Sequence, residues 1–507
     1  MPVQPEPQEP TGSSRRGRGS LVVLLVSGAV VLLLAGGGFA AWRLLAGGGA
    51  QPADVLPADT LGVVSVDLDP SGGQKIEAIQ TLRKFPAFRE EVGLESDDDV
   101  VQALFERLQA EEDVCPDVDY AEDVKPWLGQ RFAVAALPGD DEPTPVGVVQ
   151  VTDADAARDG IEALQACGDT GDQAGGLAFG DDYVVIAETD EIAEQALADG
   201  QEDPLSGDDA YQRWTDEAGG DGIVEMYAAA EAAELFGELA AQGGQDTEGL
   251  EEQLEDFEGA AASLRFDDGV VLSFASSAAG AVGDAPLDQE LETLPDDTAA
   301  LLALGVSEET RDRIREATAP GQPGATDDLL GQVEGALGSV GLSFPDDVLT
   351  LLGDSLSLSV GGEAPASEPT GPQDVPAGLR VQGDAAEIQD ILDRVEQASG
   401  LSLESQGVVV ESDDDTVAMS FQPAYAESLL EGEGSLLDSE AFESVVPEGE
   451  QATAVLYLHL TDSWRELVTS TVDDPELEDN LAPLRAFGIS GWVDGDVARG
   501  EARLSLN

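Results

Sequence analysis

Basic, metal-binding and proton-shuttling side chains are scarce in this chain. Its 507 residues include 23 Lys and Arg, one His and two Cys, against 104 Asp and Glu, for a formal net charge of -81. Lysine occurs only at Lys75, Lys84 and Lys125. Nucleic-acid binding wants a basic footprint, and this chain has the opposite. A single imidazole, His459, argues against His-based metal sites, which usually draw on more than one. The cysteines, Cys115 and Cys167, stand too far apart for a CxxC motif. There is no P-loop, no GxGxxG after a strand, no HExxH and no GxSxG. No cofactor, metal site or catalytic residue is expected.

What is abundant is acid, spread along the chain and not gathered in one tail. That pattern points to acidic surfaces on folded domains, and hydrophobic content of 42% is ordinary for a globular protein. Self-repulsion at this charge opposes compaction, and halophiles use such charge for solubility. At about 1 M salt the Debye length falls to about 3 Å. The main reading is therefore adaptation to salt, with cation binding or a basic partner as the alternative. Stability is expected to rise with salt.

Ser20 to Trp42 is an uncharged run of 23 residues, and about 20 residues cross a hydrocarbon core. Arg15, Arg16 and Arg18 precede it and Arg43 follows. The positive-inside rule then places the N-terminus in the cytoplasm and the rest outside the cell. A cleaved signal peptide is the rival, with Leu21–Leu34 as its apolar region and Ala40-Ala41 near a cleavage point. Ser14-Arg15-Arg16 hints at a twin-arginine signal, although Arg18 occupies a position where such signals carry an apolar residue. No Cys follows the run, which excludes a lipoprotein anchor. Outside the membrane, Cys115 and Cys167 are expected to form a structural disulfide. It would close a loop of about 50 residues and contribute about 2–4 kcal/mol.

The remainder repeats itself. Leu56-Pro57-Ala58-Asp59-Thr60 returns as Leu294-Pro295-Asp296-Asp297-Thr298, each leading into an apolar run. Asp123-Val124 with Leu128-Gly129 returns as Asp347-Val348 with Leu352-Gly353. Val151 and Asp153-Ala154 return as Val381 and Asp384-Ala385, Ala210-Tyr211 as Ala441-Phe442, and Asp268-Gly269 as Asp494-Gly495. The order is kept and the offset stays between about 224 and 238 residues, which implies two copies of one domain. The expected organisation is a disordered cytoplasmic tail (1–19), a transmembrane helix (20–42) and a linker (43–54). The first extracellular repeat domain (55–279), a connector (280–292) and the second repeat domain (293–507) follow. Gly361–Pro376, rich in Pro, Gly and Glu, reads as a mobile loop.

Within each copy strands and helices alternate. Val64, Val66 and Leu68 alternate with Val63, Ser65 and Asp67, a half-buried strand. Phe132–Leu137 and Val146–Val151 flank an acidic turn. Ile388, Ile391, Leu392 and Val395 lie at i, i+3, i+4 and i+7, one face of a helix. Hairpins at Asp267-Asp268-Gly269 and Asp494-Gly495 close the two copies. Short acidic turns between neighbouring strands imply antiparallel pairing. The expected class is α+β, two tandem copies with largely antiparallel sheets and packed helices.

The Arg-rich start, the single apolar segment, Leu56-Pro57-Ala58-Asp59-Thr60 before a strand and Trp127-Leu128-Gly129 before the next carry a resemblance. The chain resembles the actinobacterial, N-terminally anchored membrane proteins that bear the domain of unknown function numbered 3352. The resemblance would run from about Asp54 to the C-terminus. It implies location and architecture, and brings no activity or catalytic residue.

Several motifs invite chemistry and fail on their neighbours. Gly353-Asp354-Ser355-Leu356 spells the block of the GDSL esterases, yet Ser355 needs a base in reach. Leu456 stands where that family's DxxH would put the Asp before His459, and the repeat sets Ser355 opposite Arg131 at a strand start. Asp67-Leu68-Asp69-Pro70-Ser71-Gly72 begins like an EF-hand loop, but its twelfth position is Ala78 where a bidentate Glu is required. A strand-to-helix turn capped by Asp69 or Ser71 explains it better. Asp97-Asp98-Asp99, Gly139-Asp140-Asp141-Glu142 and Asp413-Asp414-Asp415 read as solvated turns.

The sequence thus points to a non-enzymatic, surface-anchored protein whose tandem domains bind a partner or organise the envelope. A second reading is a carrier of an apolar ligand or lipid between sheet and helices, or between the copies. An enzyme with an unrecognised site is the third. The expected partners are the membrane, through the N-terminal helix, and an extracellular protein or lipid, with no nucleic acid.

Overall fold

Strands arise where apolar residues alternate or run together between turn residues. They are β1 (Gly62–Asp67), β2 (Leu128–Leu137), β3 (Thr144–Val151), β4 (Gly176–Phe179), β5 (Tyr183–Ala187), β6 (Val224–Ala229), β7 (Gly259–Phe266) and β8 (Gly269–Ser276), followed by β9 (Ala300–Gly305), β10 (Ser355–Val360), β11 (Ala377–Gln382), β12 (Val409–Ser412), β13 (Thr416–Ser420), β14 (Ala454–His459), β15 (Leu484–Asp494) and β16 (Val497–Leu506). The computed structural model describes residues 51–507 except 69, 71, 87–101, 103–104, 106–108, 110–117, 140–141, 168–174, 221, 234–255, 278–282, 319–334, 433 and 472–474. The expected anchor at 20–42, Cys115 and Asp97-Asp98-Asp99 lie outside the described residues, as do Asp69 and Ser71. No helix among the described residues is long and apolar enough to cross a membrane.

All the strands join one sheet of sixteen, in the order β12-β13-β11-β10-β9-β14-β15-β16-β8-β7-β6-β1-β2-β3-β5-β4. The expected antiparallel pairing holds throughout. Adding eight to each label of the half that ends in β8 reproduces the half that ends in β16. The sequence reading assigns sheets to separate copies; the structure instead fuses them through β8 and β16, from Gly269 opposite Ser505 to Ser276 opposite Ala498. An unpaired edge strand exposes a row of backbone donors and acceptors, and each of these strands covers the other's. At the join Gly500 lies under the Phe274 ring: a Cβ there would come within 2.1 Å of it.

Helices cover both faces. On one face, Leu56, Tyr183, Leu205 and Trp214 centre the first half's core, and Leu291, Leu294, Phe442 and Tyr457 the second's. On the other face, Leu82 packs with Val66 and Phe266, Trp127 and Ile161 with Val184, and Ile388 with Val381 and Val417. The predicted helix around Ile388 is Ala385–Ser399. Asp384 caps it by accepting the Glu387 N–H, and Gly400 ends it in the left-handed conformation at φ 70°.

The repeated motifs have repeated structural jobs. Thr60 and Thr298 are fully buried, and each hydroxyl donates to the proline carbonyl three residues back, at 2.6 and 2.7 Å. Asp123 and Asp347 each accept a backbone N–H from four residues upstream, Asp119 and Ser343.

Two boundaries differ from expectation. Residues 280–292 are not merely a connector. Asp288–Thr293 is a helix, and Leu287 and Leu291 are fully buried in the second core because their i, i+4 spacing puts them on one helical face. The insertion after β10 is tied at its neck: the Gly361 N–H donates to the Pro376 carbonyl at 2.8 Å, and the Trp464 indole N–H donates to the Gly361 carbonyl at 3.0 Å.

Candidate ligand site

One row of side chains crosses the whole sheet on one face, and every member is apolar. Its centre runs Leu358, Leu302, Leu456, Ile489, Ala502 and Leu272, one residue per strand from β10 to β8. It extends through Leu379, Met419 and Val410 to β12. At the other end it continues through Leu264, Val224, Val66, Phe132, Val149 and Val184 to Phe179 on β4. In the first half this face is packed under helices, and Val66, Val224 and Val184 are buried. Across the join and the second half the cover is incomplete. Among the described residues, seven large apolar side chains are exposed, and Phe274, Leu302, Leu358, Leu458 and Val493 all stand on this face. Exposed apolar side chains gathered on one face, unlike scattered ones, mark interaction sites.

Next to that row the same face forms the floor of a cavity of about 360 Å³, within the size range of small-ligand pockets. Val360, Ala300, Leu458, Phe487 and Leu504 lie side by side across β10, β9, β14, β15 and β16. Helix Asp462–Thr471 forms the opposite wall with Trp464 and Val468. The helix is held by Trp464 at Gly361 and by Arg465, whose guanidinium donates to the carbonyls of Leu460 and Leu484 at 3.0 and 2.7 Å. The lining is almost wholly apolar, with His459 and Arg485 as its ionisable members.

The first half has a different floor. Its ladders place Gly62, Ala136, Ala228, Ala260 and Ser276 at the corresponding positions. Small residues stand there where the second half has Val, Leu and Phe.

The structure separates the residues singled out in the sequence. Ser355, at the start of β10, is 4% exposed and donates to Glu290 and Gln382. His459 lies two strands away and six residues further along the β9 direction, roughly 20 Å off at 3.3 Å per residue. Burial, with Arg485 and Arg465 nearby, lowers the pKa of His459 and favours the neutral ring. Asp67 is held by Arg131 at 3.0 Å, and Asp413 accepts backbone N–H groups within its own turn. Cys167 ends helix Ala154–Cys167, but the expected bridge to Cys115 falls outside the described residues. No group of three or more His, Cys, Asp or Glu that could hold a metal occurs among the described residues.

Sequence reasoning missed Glu290 and Arg380. Their side chains, 0% and 4% exposed, pair at 2.8 Å, and Ser355 and Ser357 donate to the same carboxylate. It also missed the cavity; the only advance signal was the run of Leu residues in β9 and β14 on the strand face away from Tyr457.

No curated protein and no solved structure matches the chain. Residues 25–175 match the model of a family described as a protein of unknown function, DUF3352.

Proposed function

We propose that this is a membrane-anchored, non-enzymatic binding protein, built from two copies of one α+β domain, that holds an apolar ligand beneath the second half of its sheet. The observation that carries the reading is the apolar cavity between Leu458, Phe487 and Leu504 on the sheet and Trp464 and Val468 on the facing helix. Ligand pockets are mostly apolar, and this lining is almost wholly so. The duplication is supported by the ordered motifs and by the identical strand order of the halves. The anchor is supported by the 23-residue uncharged run and its flanking arginines.

The test is photolabelling of the full chain in lipid nanodiscs with a dodecanol analogue bearing a diazirine on its chain. Label is expected on peptides carrying Trp464–Val468 and Leu484–Phe487. Leu458→Arg should remove most of it, while Leu302→Ser, on the same face outside the cavity, should leave it. Label spread evenly over the chain, or unchanged in Leu458→Arg, would overturn the reading.

A further inference from the structure

We infer that the ligand is a long hydrocarbon chain, one end of which fills the cavity while the rest lies along the exposed apolar row beside it. This rests on the cavity being a ligand site. Cavity and row are one surface. Val360, Ala300, Leu458 and Phe487 on the floor stand two residues along their strands from Leu358, Leu302, Leu456 and Ile489 of the row. Residues two apart share a strand face, so no side chain of that face comes between them. Leu302 is 56% exposed and Leu358 50%. The cavity is near the lower end of the size range for ligand pockets, so it takes a chain of about dodecanol's size and a longer one must continue outside. With a lining almost wholly apolar, chain length is what the site can read.

The row lies in a trough. On one side helix Asp462–Thr471 stands over the cavity floor. On the other, helix Ala385–Ser399 packs on the same face, with Ile388 in a cluster that includes Leu356 and Leu379. A trough between helices fits a chain better than a flat bilayer surface. A second copy would bring another formal charge of -81 against the first, and self-repulsion opposes that. The two halves also treat this stretch differently. In the first, the helix after β1, Gly72–Arg83, buries Ala78 and Leu82 in a cluster against which Val64, the counterpart of Leu302, is packed. In the second, the helix after β9, Glu308–Ala317, has seven charged residues among its ten, and none of its described side chains is buried. The scaffold that covers itself in the first half leaves Leu302 and Leu358 open in the second.

The experiment is competition against the photoreactive dodecanol on the full chain in neutral phosphatidylcholine nanodiscs. The competitors are octanol, dodecanol, hexadecanol and eicosanol. Each potency is taken as the ratio of variant to parent, which cancels partition of the alcohol into the nanodisc. Leu302→Ser combined with Leu358→Ser should leave octanol and dodecanol within about twofold and weaken hexadecanol and eicosanol about tenfold, since one buried methylene is worth about fourfold. Retained dodecanol labelling shows in the same assay that this variant is folded with its cavity intact. Leu302→Met combined with Leu358→Met, which keeps the row apolar, should leave every ratio near one. A serine variant that weakens no alcohol, or weakens octanol as much as eicosanol, would overturn the inference and leave the cavity standing. A dimer in native mass spectrometry that the parent forms and the serine variant loses would assign the row to a second copy and overturn it too. Labelling that persists in Leu458→Arg would overturn the cavity reading itself.

Discussion

At the scale of single residues, the Glu290–Arg380 pair is fully buried in the second half. Taking both charges out of water is repaid only by close geometry and by the extra donors Ser355 and Ser357. Removing one partner leaves the other buried and uncompensated. Glu290→Gln is therefore expected to lower stability by about 3–5 kcal/mol, read from the shift of the urea midpoint. Adding Arg380→Met should recover part of that loss. A Glu290→Gln variant within about 1 kcal/mol of the parent, a usual surface effect or little more, would contradict this assignment. Nothing local in the sequence joins Glu290 to Arg380, which lie 90 residues apart. By contrast, Thr60 and Thr298 were legible, because each makes its bond within its own five-residue motif. The same distinction disposes of Ser355: its four-residue block suggested a nucleophile, and its packing makes it a donor to a structural carboxylate.

At the scale of elements, periodicity served well where an element's partners are uniform along its length. Helix Ala385–Ser399 and strand Tyr183–Ala187 follow their apolar spacing closely. It served poorly for Asp288–Thr293, a helix of six residues that is too short to show a period, and for the bulge at Arg485, which depends on the register of the neighbouring strand. Helices Asp346–Leu352 and Ala385–Ser399 are clasped by Asp347, which accepts two guanidinium N–H bonds from Arg394 at 2.6 and 2.8 Å and the Ser343 N–H at 2.6 Å. The Arg394 hydrogen bonds are the main cause that holds the Asp347 carboxyl below the usual carboxylate range, against a desolvation effect of opposite sign. A pKa lowered on folding stabilises the fold above the unfolded value, and the contribution is lost as pH falls through the folded value. Asp347→Asn is thus expected to lower Tm at pH 7, and the gap to the parent should close below about pH 4, the ordinary carboxylate range. A gap independent of pH would show that charge at Asp347 does not hold the clasp.

At the scale of the whole molecule, repetition was visible in the sequence and its geometric consequence was not. Motif order implied two copies, and the two halves of the sheet share a strand order; motif order carried no information on how two edge strands would meet. The join of β8 to β16 makes one sheet with one continuous apolar row, and the halves then diverge on that shared face. Gly62, Ala136, Ala228 and Ala260 give the first half a floor of small residues, while Ala300, Val360, Leu458 and Phe487 floor the cavity in the second. A single ligand site beneath the second half of the sheet is tested by native mass spectrometry of the full chain with dodecanol. One ligand per chain is expected, lost in Leu458→Arg; two per chain, or one that survives Leu458→Arg, would rule it out.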